Sequence, residues 1–593
     1  MPPGVKYLIE RAPKLLFGPI LAFVLIYIAQ SYLNFTFSTT RTWLWVLLSG
    51  PFLFSILLGL DDIKNYLAAR SMGAILPPFT DDLSPGGIWS ILKEIRNAEN
   101  GYIAEDLENM TAFTLNLRML FQNRMVTTEP EHIKSILSTE FDRYEKGEEI
   151  RQVLGPLLGN GVFNTDGRQR IQILFHRSIT RPFFTKDRIS HFDNFERHAN
   201  DVLHQIKTRL REGYPVDIQD AVGRFAIDSA CEFLFGNDIR SLSSGLPYPQ
   251  SSALHRVYED SAKDDVATLF SLAFSKAQQI LLYRIRLGLH WPLTEFWKDE
   301  LQEQKSTIYA LIDPIVKEAV RRRQQRTVRP YSEGTSKVED EITLLDHLVN
   351  STDDPVMLRD EIMNLLVAGR DTTSSTLSFV IYMLALNPPV LDRLRKEILQ
   401  RVGLSRRPDY DDVKEMKYLR AVINETLRLY PPVPFNLRMS KQASLWPPTL
   451  PGGKPYYIPA NTRIGYTVLG MHRRVDLWGP DALDFDPDRF LDDRLQKYLT
   501  PNPFIFLPFN AGPRICLGQQ FAYNEVSFFI IKLLQSFSGI ELAEDAQPIR
   551  SRAPAAWATE PGRKAKEKLR PKSHLTMYLD GGLWVKLTES LVD

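Results

Sequence analysis

Two long apolar runs open the chain. Leu15 to Leu33 holds nineteen residues without a charge, and Trp43 to Leu60 holds eighteen; a helix needs about 20 such residues to cross a bilayer. From Ile91 onward the apolar spacing becomes mainly helical. Short β-like runs such as Asn123 to Thr128 interrupt it, and Phe270 to Trp297 is unusually apolar and aromatic, as a core helix would be. Asp354-Pro355 opens a run of about 32 residues that reaches Asn387, roughly 48 Å long as a helix. A capping Asp followed by Pro in the first turn is ordinary helix-start chemistry. After Gly518 the period is again helical, with Phe521, Glu525, Phe528 and Phe529 on one face. There is no internal repeat. The polar stretch Ser332 to Glu339 and the basic stretch Arg563 to Lys572 read as solvated loops.

The pattern predicts a membrane anchor over 1–62, a linker over 63–90 stiffened by Pro77-Pro78, and a catalytic domain over 91–593. Asp61 to Arg70 reads as a charged exit from the membrane. Neither apolar run carries the short core and small-residue cleavage site of a signal peptide. Lys6, Arg11 and Lys14 precede the first run against Glu10 alone, and the link between the runs holds only Arg41. The positive-inside bias therefore puts the N-terminus in the cytosol. Two spans return the chain there, which makes a hairpin the expected arrangement. The alternatives for the second run are an interfacial helix or a buried core helix. The sequon Asn34-Phe35-Thr36 would then be lumenal and close to the bilayer.

Composition narrows the classes. At 593 residues, length alone allows roughly four domains, but the chemistry-bearing residues are spread over so much chain that one site must gather them. Hydrophobic content is 44% and the formal net charge +1, which argues against nucleic acid as a partner and against a strongly basic membrane surface. Two cysteines, Cys231 and Cys516, make no disulfide framework. Cys231 reads as helix core.

Cys516 lies in Phe509-Asn-Ala-Gly512-Pro-Arg514-Ile-Cys516-Leu-Gly518. A thiolate suits a soft metal and is a haem-iron ligand. Gly512 and Gly518 lack Cβ atoms, so backbone there can approach a flat macrocycle. Arg514 can pair with a propionate, and Phe509 can shield the sulfur from water. The helical pattern that follows puts the sulfur near a helix N-terminus, where an anion is stabilised. A chance match of five specified residues in ten over this length is on the order of one in ten thousand at average composition. The stretch resembles the cysteine loop F-x-x-G-x-R-x-C-x-G of the cytochrome P450 haem-thiolate superfamily.

Other segments carry the same resemblance. Ala368-Gly369-Arg370-Asp371-Thr372-Thr373, in the middle of the long helix, is a poor choice for packing: Gly costs about 1 kcal/mol there, and Thr can bond back to the preceding turn. It is similar to the family's A-G-x-D-T-T element, which implies that Thr372 hydrogen-bonds the activated oxygen and Asp371 relays protons to it. Glu425-Thr-Leu-Arg428 resembles the E-x-x-R helix, whose pair closes a structural network with a later arginine, here Arg489. Arg438 stands where the family often places a propionate-binding arginine. Val433, Pro434 and Phe435 would line the distal pocket, and Phe270 to Trp297 falls where the family caps its substrate channel. Met471-His472-Arg473 is similar to fungal relatives that oxidise alkanes and fatty acids. One element departs from the pattern: Arg177 fits the second position of the C-helix W-x-x-x-R, but Ile173 stands where Trp is expected, in a segment about three residues longer than usual. His176, an upstream arginine or a misread splice junction accounts for it.

The resemblance implies a mainly α, triangular-prism fold with small β-sheets behind N-terminal membrane helices. It implies haem b ligated by Cys516, and insertion of one oxygen atom from O2 into a C–H bond of an alkane, fatty acid or xenobiotic. No G-x-G-x-x-G follows a predicted strand, so electrons would come from NADPH through a separate cytochrome P450 reductase, with cytochrome b5 as a second donor. The expected location is the endoplasmic reticulum membrane, with the catalytic domain facing the cytosol. The competing classes are a haem-thiolate peroxide isomerase or lyase, against which Asp371-Thr372 argues, and a non-enzymatic haem sensor.

Overall fold

The structure is a computed structural model that describes the chain apart from residues 33–34, 36, 83, 106–109, 111, 167–180, 185–191, 328–342, 353 and 591–593. Its first two elements are α1, Pro3–Tyr32, and α2, Thr39–Ser71, both long and apolar enough to cross a membrane. They pack against each other at Gly18 and Gly50, where a Cβ on Gly18 would meet the Gly50 Cα at 3.0 Å. Small residues at a crossing let helix backbones approach in this way. Only 6% of the apolar window of α2 is buried, so the second run is not a core helix. It also outruns the expected anchor boundary. The helix continues through Asp61 and Asp62 to Ser71, with Asp62 held by Arg118 Nη2 at 2.7 and 2.8 Å. The sequon lies outside the described residues at Asn34 and Thr36.

Both ends of this hairpin rest on the globular body. At the N-terminus, Gly4 N donates to Phe296 O at 3.0 Å and the Tyr7 hydroxyl bonds His290 Nδ1 at 2.6 Å. At the other end, Ala69 and Ala74 bury against Tyr457, and Ile75 bridges to Tyr456. The Pro77-Pro78 linker is tied down too: Asn116 N donates to Pro78 O at 2.8 Å.

The main sheet has five strands: β1 Thr114–Met119, β2 Gln122–Thr127, β3 Tyr144–Glu145, β4 Phe435–Ser440 and β5 Arg463–Thr467. Their order is β1-β2-β5-β4-β3, with only β2 and β5 parallel. The predicted run Asn123 to Thr128 is thus β2. Its hairpin turns at Leu120 and Phe121, both with positive φ (49° and 65°), in a two-residue connection that favours Asn-Gly. Phe121 packs edge-on against Phe54 of α2, with centroids 5.2 Å apart.

The remaining elements that shape the site are helices: α3 Glu148–Leu158, α4 Ile218–Phe235, α5 Val266–Leu287, α6 Pro355–Leu386, α7 Lys417–Leu429 and α8 Gln519–Ser536. Asp354 caps α6 by accepting from Val356 N at 2.9 Å. The first half of α6 (Leu358, Ile362, Met363, Leu366) packs in a core with Leu157 of α3 and Phe274 of α5. The second half (Leu377, Phe379, Val380, Ile381) packs in another, with Phe225 of α4 and Phe528 and Phe529 of α8. Between the halves, Val367–Asp371 widens into a π-turn. Cys231 is buried in α4, where desolvation raises its thiol pKa well above the ordinary range.

The basic stretch near the C-terminus is not a solvated loop. Arg563 donates to the Tyr430 hydroxyl at 2.8 and 3.0 Å and to Leu483 O at 2.9 Å. Glu567 accepts from the Tyr430 hydroxyl at 2.7 Å and the Tyr382 hydroxyl at 3.2 Å. Arg563 and Glu567 can go inside around two buried tyrosines because each finds a partner, while Lys566 and Lys568 stay exposed.

Candidate active site

A cavity of about 1510 Å³ lies beside the π-turn of α6. It gathers most of the residues the sequence singled out. Phe509, Arg514, Cys516 and Gly518 come from the cysteine loop, Ala368, Gly369 and Thr372 from α6, and Val433, Pro434, Phe435 and Arg438 from β4 and the turn before it. Leu282 and Ile285 of α5 line the cavity as well, as expected of a capping segment, while Phe270 and Phe274 of the same helix are core. Arg177 and Ile173 lie outside the described residues.

The cysteine loop is held by its own backbone. Cys516 N donates to Phe509 O at 3.0 Å, and the Phe509 ring packs on Tyr523 with centroids 5.1 Å apart. α8 begins at Gln519, so Cys516 sits just ahead of its N-terminal N–H groups, where a thiolate is favoured. Arg514 Nη2 donates to Thr165 O at 3.0 Å and to Asp166 Oδ1 at 3.3 Å. Gly518 lines the cavity, and Gly512 leaves room on its Cβ side for another segment. It has φ +67°, and a Cβ there would lie 1.9 Å from Leu137 O. It permits close approach to the neighbouring Ser135–Thr139 turn.

At the π-turn, Thr372 Oγ1 donates to Ala368 O at 2.6 Å. Side-chain capture of a carbonyl in the preceding turn is one way a helix opens, and π-bulges recur at functional sites. Asp371 is set behind the cavity wall. Its carboxylate accepts from Arg370 Nη1 at 2.8 Å and from Gln278 Nε2 of α5 at 2.5 Å.

The Glu425–Arg428–Arg489 group is fully buried. Arg428 binds Glu425 through two hydrogen bonds of 2.7 and 2.8 Å, and Arg489 Nε stands 3.5 Å from Glu425 Oε1. Arg489 also pairs with Asp481 at 3.0 Å. None of the three lines the cavity.

Several residues escaped the sequence reading. Glu525 of α8 is buried and accepts from Ser229 Oγ at 2.7 Å and Thr373 Oγ1 at 2.9 Å. Desolvation pushes its carboxyl up to about 7, against the two hydroxyl donors. The available signal was an acid on an otherwise aromatic helix face. His574 lines the cavity too, held neutral by burial that pushes it down to about 4. Lys146 also faces the cavity, and nothing in its surrounding sequence marks it.

A helical body with small sheets, a cysteine loop ahead of a helix and a threonine-bearing π-turn across one cavity define the architecture of a single enzyme class. The model of the cytochrome P450 family matches residues 85–564, and the chain belongs to that family. It is a cytochrome P450 monooxygenase. It is 35% identical over 459 residues to cytochrome P450 monooxygenase himC of Aspergillus japonicus, covering 77% of this chain and 76% of that one. Identity is 33% over 496 residues with cytochrome P450 52-M1 of Starmerella bombicola, covering 81% and 88%. With cytochrome P450 52A6 of Candida tropicalis it is 32% over 550 residues, covering 89% and 94%.

Two measurements follow from this geometry. Gly512→Ala forces a Cβ into Leu137 O at a left-handed φ, at a cost of about 2–5 kcal/mol; a lowered thermal midpoint is expected, and an unchanged one refutes the close-packing role. Glu525 carries a raised carboxyl, so its protonated form is favoured in the folded state. The stability this contributes is present below the unfolded value near 4.5 and is lost as pH rises through about 7. Glu525→Gln should therefore remove a pH-dependent loss of roughly 3 kcal/mol, seen as a smaller drop in denaturant midpoint between pH 5 and pH 8 than in the wild type.

Proposed function

We propose that the protein holds haem b through Cys516 and uses it to hydroxylate medium or long aliphatic chains. The observation that carries this reading is the pairing of an exposed thiol with the Thr372 hydroxyl on walls of one cavity. The donor set fits the group: Cys516 offers a soft ligand, Arg438 and Arg514 offer cations for its carboxylates, and Gly369 and Val433 leave the walls apolar and close. The cavity exceeds the roughly 300–1,000 Å³ of an ordinary ligand site, which suits a cofactor and a substrate together. When bound, haem with a thiolate ligand supplies dioxygen activation and the electron density that favours O–O cleavage.

The chain's own residues do the rest. Thr372 donates to Ala368 O, which leaves its oxygen lone pairs directed to accept from a proton donor in the cavity. Asp371 holds a proton-transfer position behind the wall and reaches the cavity by exchanging its bond to Gln278. Glu425, Arg428 and Arg489 do no chemistry; they hold the pocket. Leu282, Ile285, Val433, Pro434 and Phe435 exclude water and bind an apolar chain through its buried surface. Electrons come from NADPH through a separate reductase, with cytochrome b5 as a second donor. The hairpin anchors the protein in the endoplasmic reticulum membrane with the body in the cytosol, a reading supported by both helix ends resting on that body.

Reconstituted with NADPH–cytochrome P450 reductase, the full chain should consume NADPH when given a fatty acid or alkane. Its ferrous carbon monoxide complex should show the red-shifted band of a thiolate ligand. Cys516→Ser should lose both, and Thr372→Ala should keep NADPH consumption while releasing hydrogen peroxide instead of product. Turnover of hydroperoxide without reductase, or no turnover at all, overturns the reading. In microsomes, added protease should digest the catalytic body; a protected body refutes the cytosolic orientation.

A further inference from the structure

A hairpin from near the end of the chain enters the cavity. Its strands are β6, Pro571–Ser573, and β7, Met577–Leu579, paired with Ser573 opposite Met577, so His574, Leu575 and Thr576 form the tip. The tip residues line the cavity. Backbone bonds fix them there. Met577 N donates to Pro432 O at 2.9 Å, next to Val433 of the cavity wall, and His574 N donates to Thr576 O at 3.0 Å. Leu575 packs against the core that holds the first half of α6. The His574 ring stacks on Tyr578, with centroids 4.8 Å apart and planes at 17°.

The partners of this ring decide where its proton sits. Thr576 N donates to Nδ1 at 3.2 Å, and the Thr576 hydroxyl is 3.4 Å from the same nitrogen. A backbone N–H only donates, so Nδ1 is the bare, accepting nitrogen. Burial keeps the ring neutral, and a neutral ring with Nδ1 bare carries its proton on Nε2. Among the described residues, no hydrogen bond or ion pair reaches that N–H. The ring is half-buried, and the space it opens on is the cavity. When an apolar chain fills the cavity and expels water, such a donor is left unmade at a cost, unless the chain brings an acceptor of its own.

The surroundings of the ring set the charge of that acceptor. Asp371 and Arg370 are the charged groups that act on it. Arg370 is committed to Asp371 Oδ1 at 2.8 Å and to Ser271 Oγ, and Lys572 of β6 pairs with Asp580 at 3.0 Å. A carboxylate brought to the tip would add a second negative charge near Asp371, with both of these cations already spent. An uncharged carbonyl oxygen needs only the N–H and carries no such desolvation cost. We propose that His574 sets substrate specificity, its Nε2–H donating to the carbonyl oxygen of an otherwise aliphatic ketone or ester in preference to a bare alkane or a free acid. The inference deepens the aliphatic-chain reading above and rests on it.

The test uses detergent-purified full-length protein loaded with haem, and a methyl ketone, an alkane and a carboxylic acid of one chain length. Binding is measured by equilibrium dialysis, which does not depend on the iron. His574→Leu should weaken the ketone about threefold to tenfold, the worth of one neutral hydrogen bond, and leave the alkane within about twofold. His574→Gln, which returns an N–H at a similar reach, should recover most of the loss. The isotope-labelled carbonyl of the bound ketone should absorb at lower infrared frequency in the wild type than in His574→Leu, a signature that a merely structural role would not give. Where the leucine variant fails to fold, the shift of the wild-type band below that of the ketone in alkane solvent decides the matter. Equal losses for ketone and alkane, or an unshifted carbonyl band, overturn the proposal. So does an acid that binds tighter than the ketone and loses that advantage in His574→Leu. A wild type that binds none of the ligands, or lacks the red-shifted carbon monoxide band, overturns the proposed function instead.

Discussion

One buried ion pair suspends the thiol side of the cavity. Arg428 and Glu425 are both fully out of solvent, and Arg428 spends its other nitrogen donors on His472 O at 2.8 Å and Ala482 O at 2.6 Å. His472 is itself buried, and its Nε2 accepts from Leu507 N at 2.9 Å. Leu507 stands two residues before Phe509, where the cysteine loop starts. A carboxylate on α7 thus sets the height of a backbone amide at the root of the loop that carries Cys516. Losing one member of such a pair leaves a bare charge in a dry interior, a penalty of ~3–5 kcal/mol. The pair is therefore weak as a source of net stability and strong as a specifier of position.

The long helix supplies the opposite wall under a different constraint. Its two halves belong to different cores, so it cannot shift along its axis without disturbing both. Strain is left for the π-turn between them, where Thr372 takes the Ala368 carbonyl. Glu525 stiffens this junction from below by accepting from α4 and α6 together. The cavity-lining face of α6 is thereby shaped by backbone geometry as well as by side chains, with small residues Ala368 and Gly369 on it.

Charge completes the arrangement. The interior holds many ionised groups, and most are closed by a partner of opposite sign: Arg284 with Glu295, Arg463 with Glu149, Arg563 with Glu567. At the cavity rim, Asp166 accepts from Arg514 Nη2 at 3.3 Å and from the backbone N–H groups of Lys146 and Gly147.

Much of this was legible in the chain before any coordinates. Local pattern marks two N-terminal helices as long and apolar enough to cross a membrane, because apolar length alone is sufficient for that. It settles the start of α6 through Asp354 and Pro355, and it marks the cysteine loop, since glycines and a cysteine at that spacing serve few other ends. What local pattern could not decide was direction and partnership. The carbonyl that uses the space beside Gly512, Leu137 O, lies far off in the chain. Asp371 faces α5 and pairs with Gln278, far away in the chain. Arg563 and Glu567 are interior because Tyr430 and Tyr382 meet them there. Periodicity and motif spacing are properties of neighbours along the chain, so the sequence determines which elements form and which chemistry they carry. The sign and packing of a site are sums over residues far apart in the chain, and only the tertiary structure brings those together.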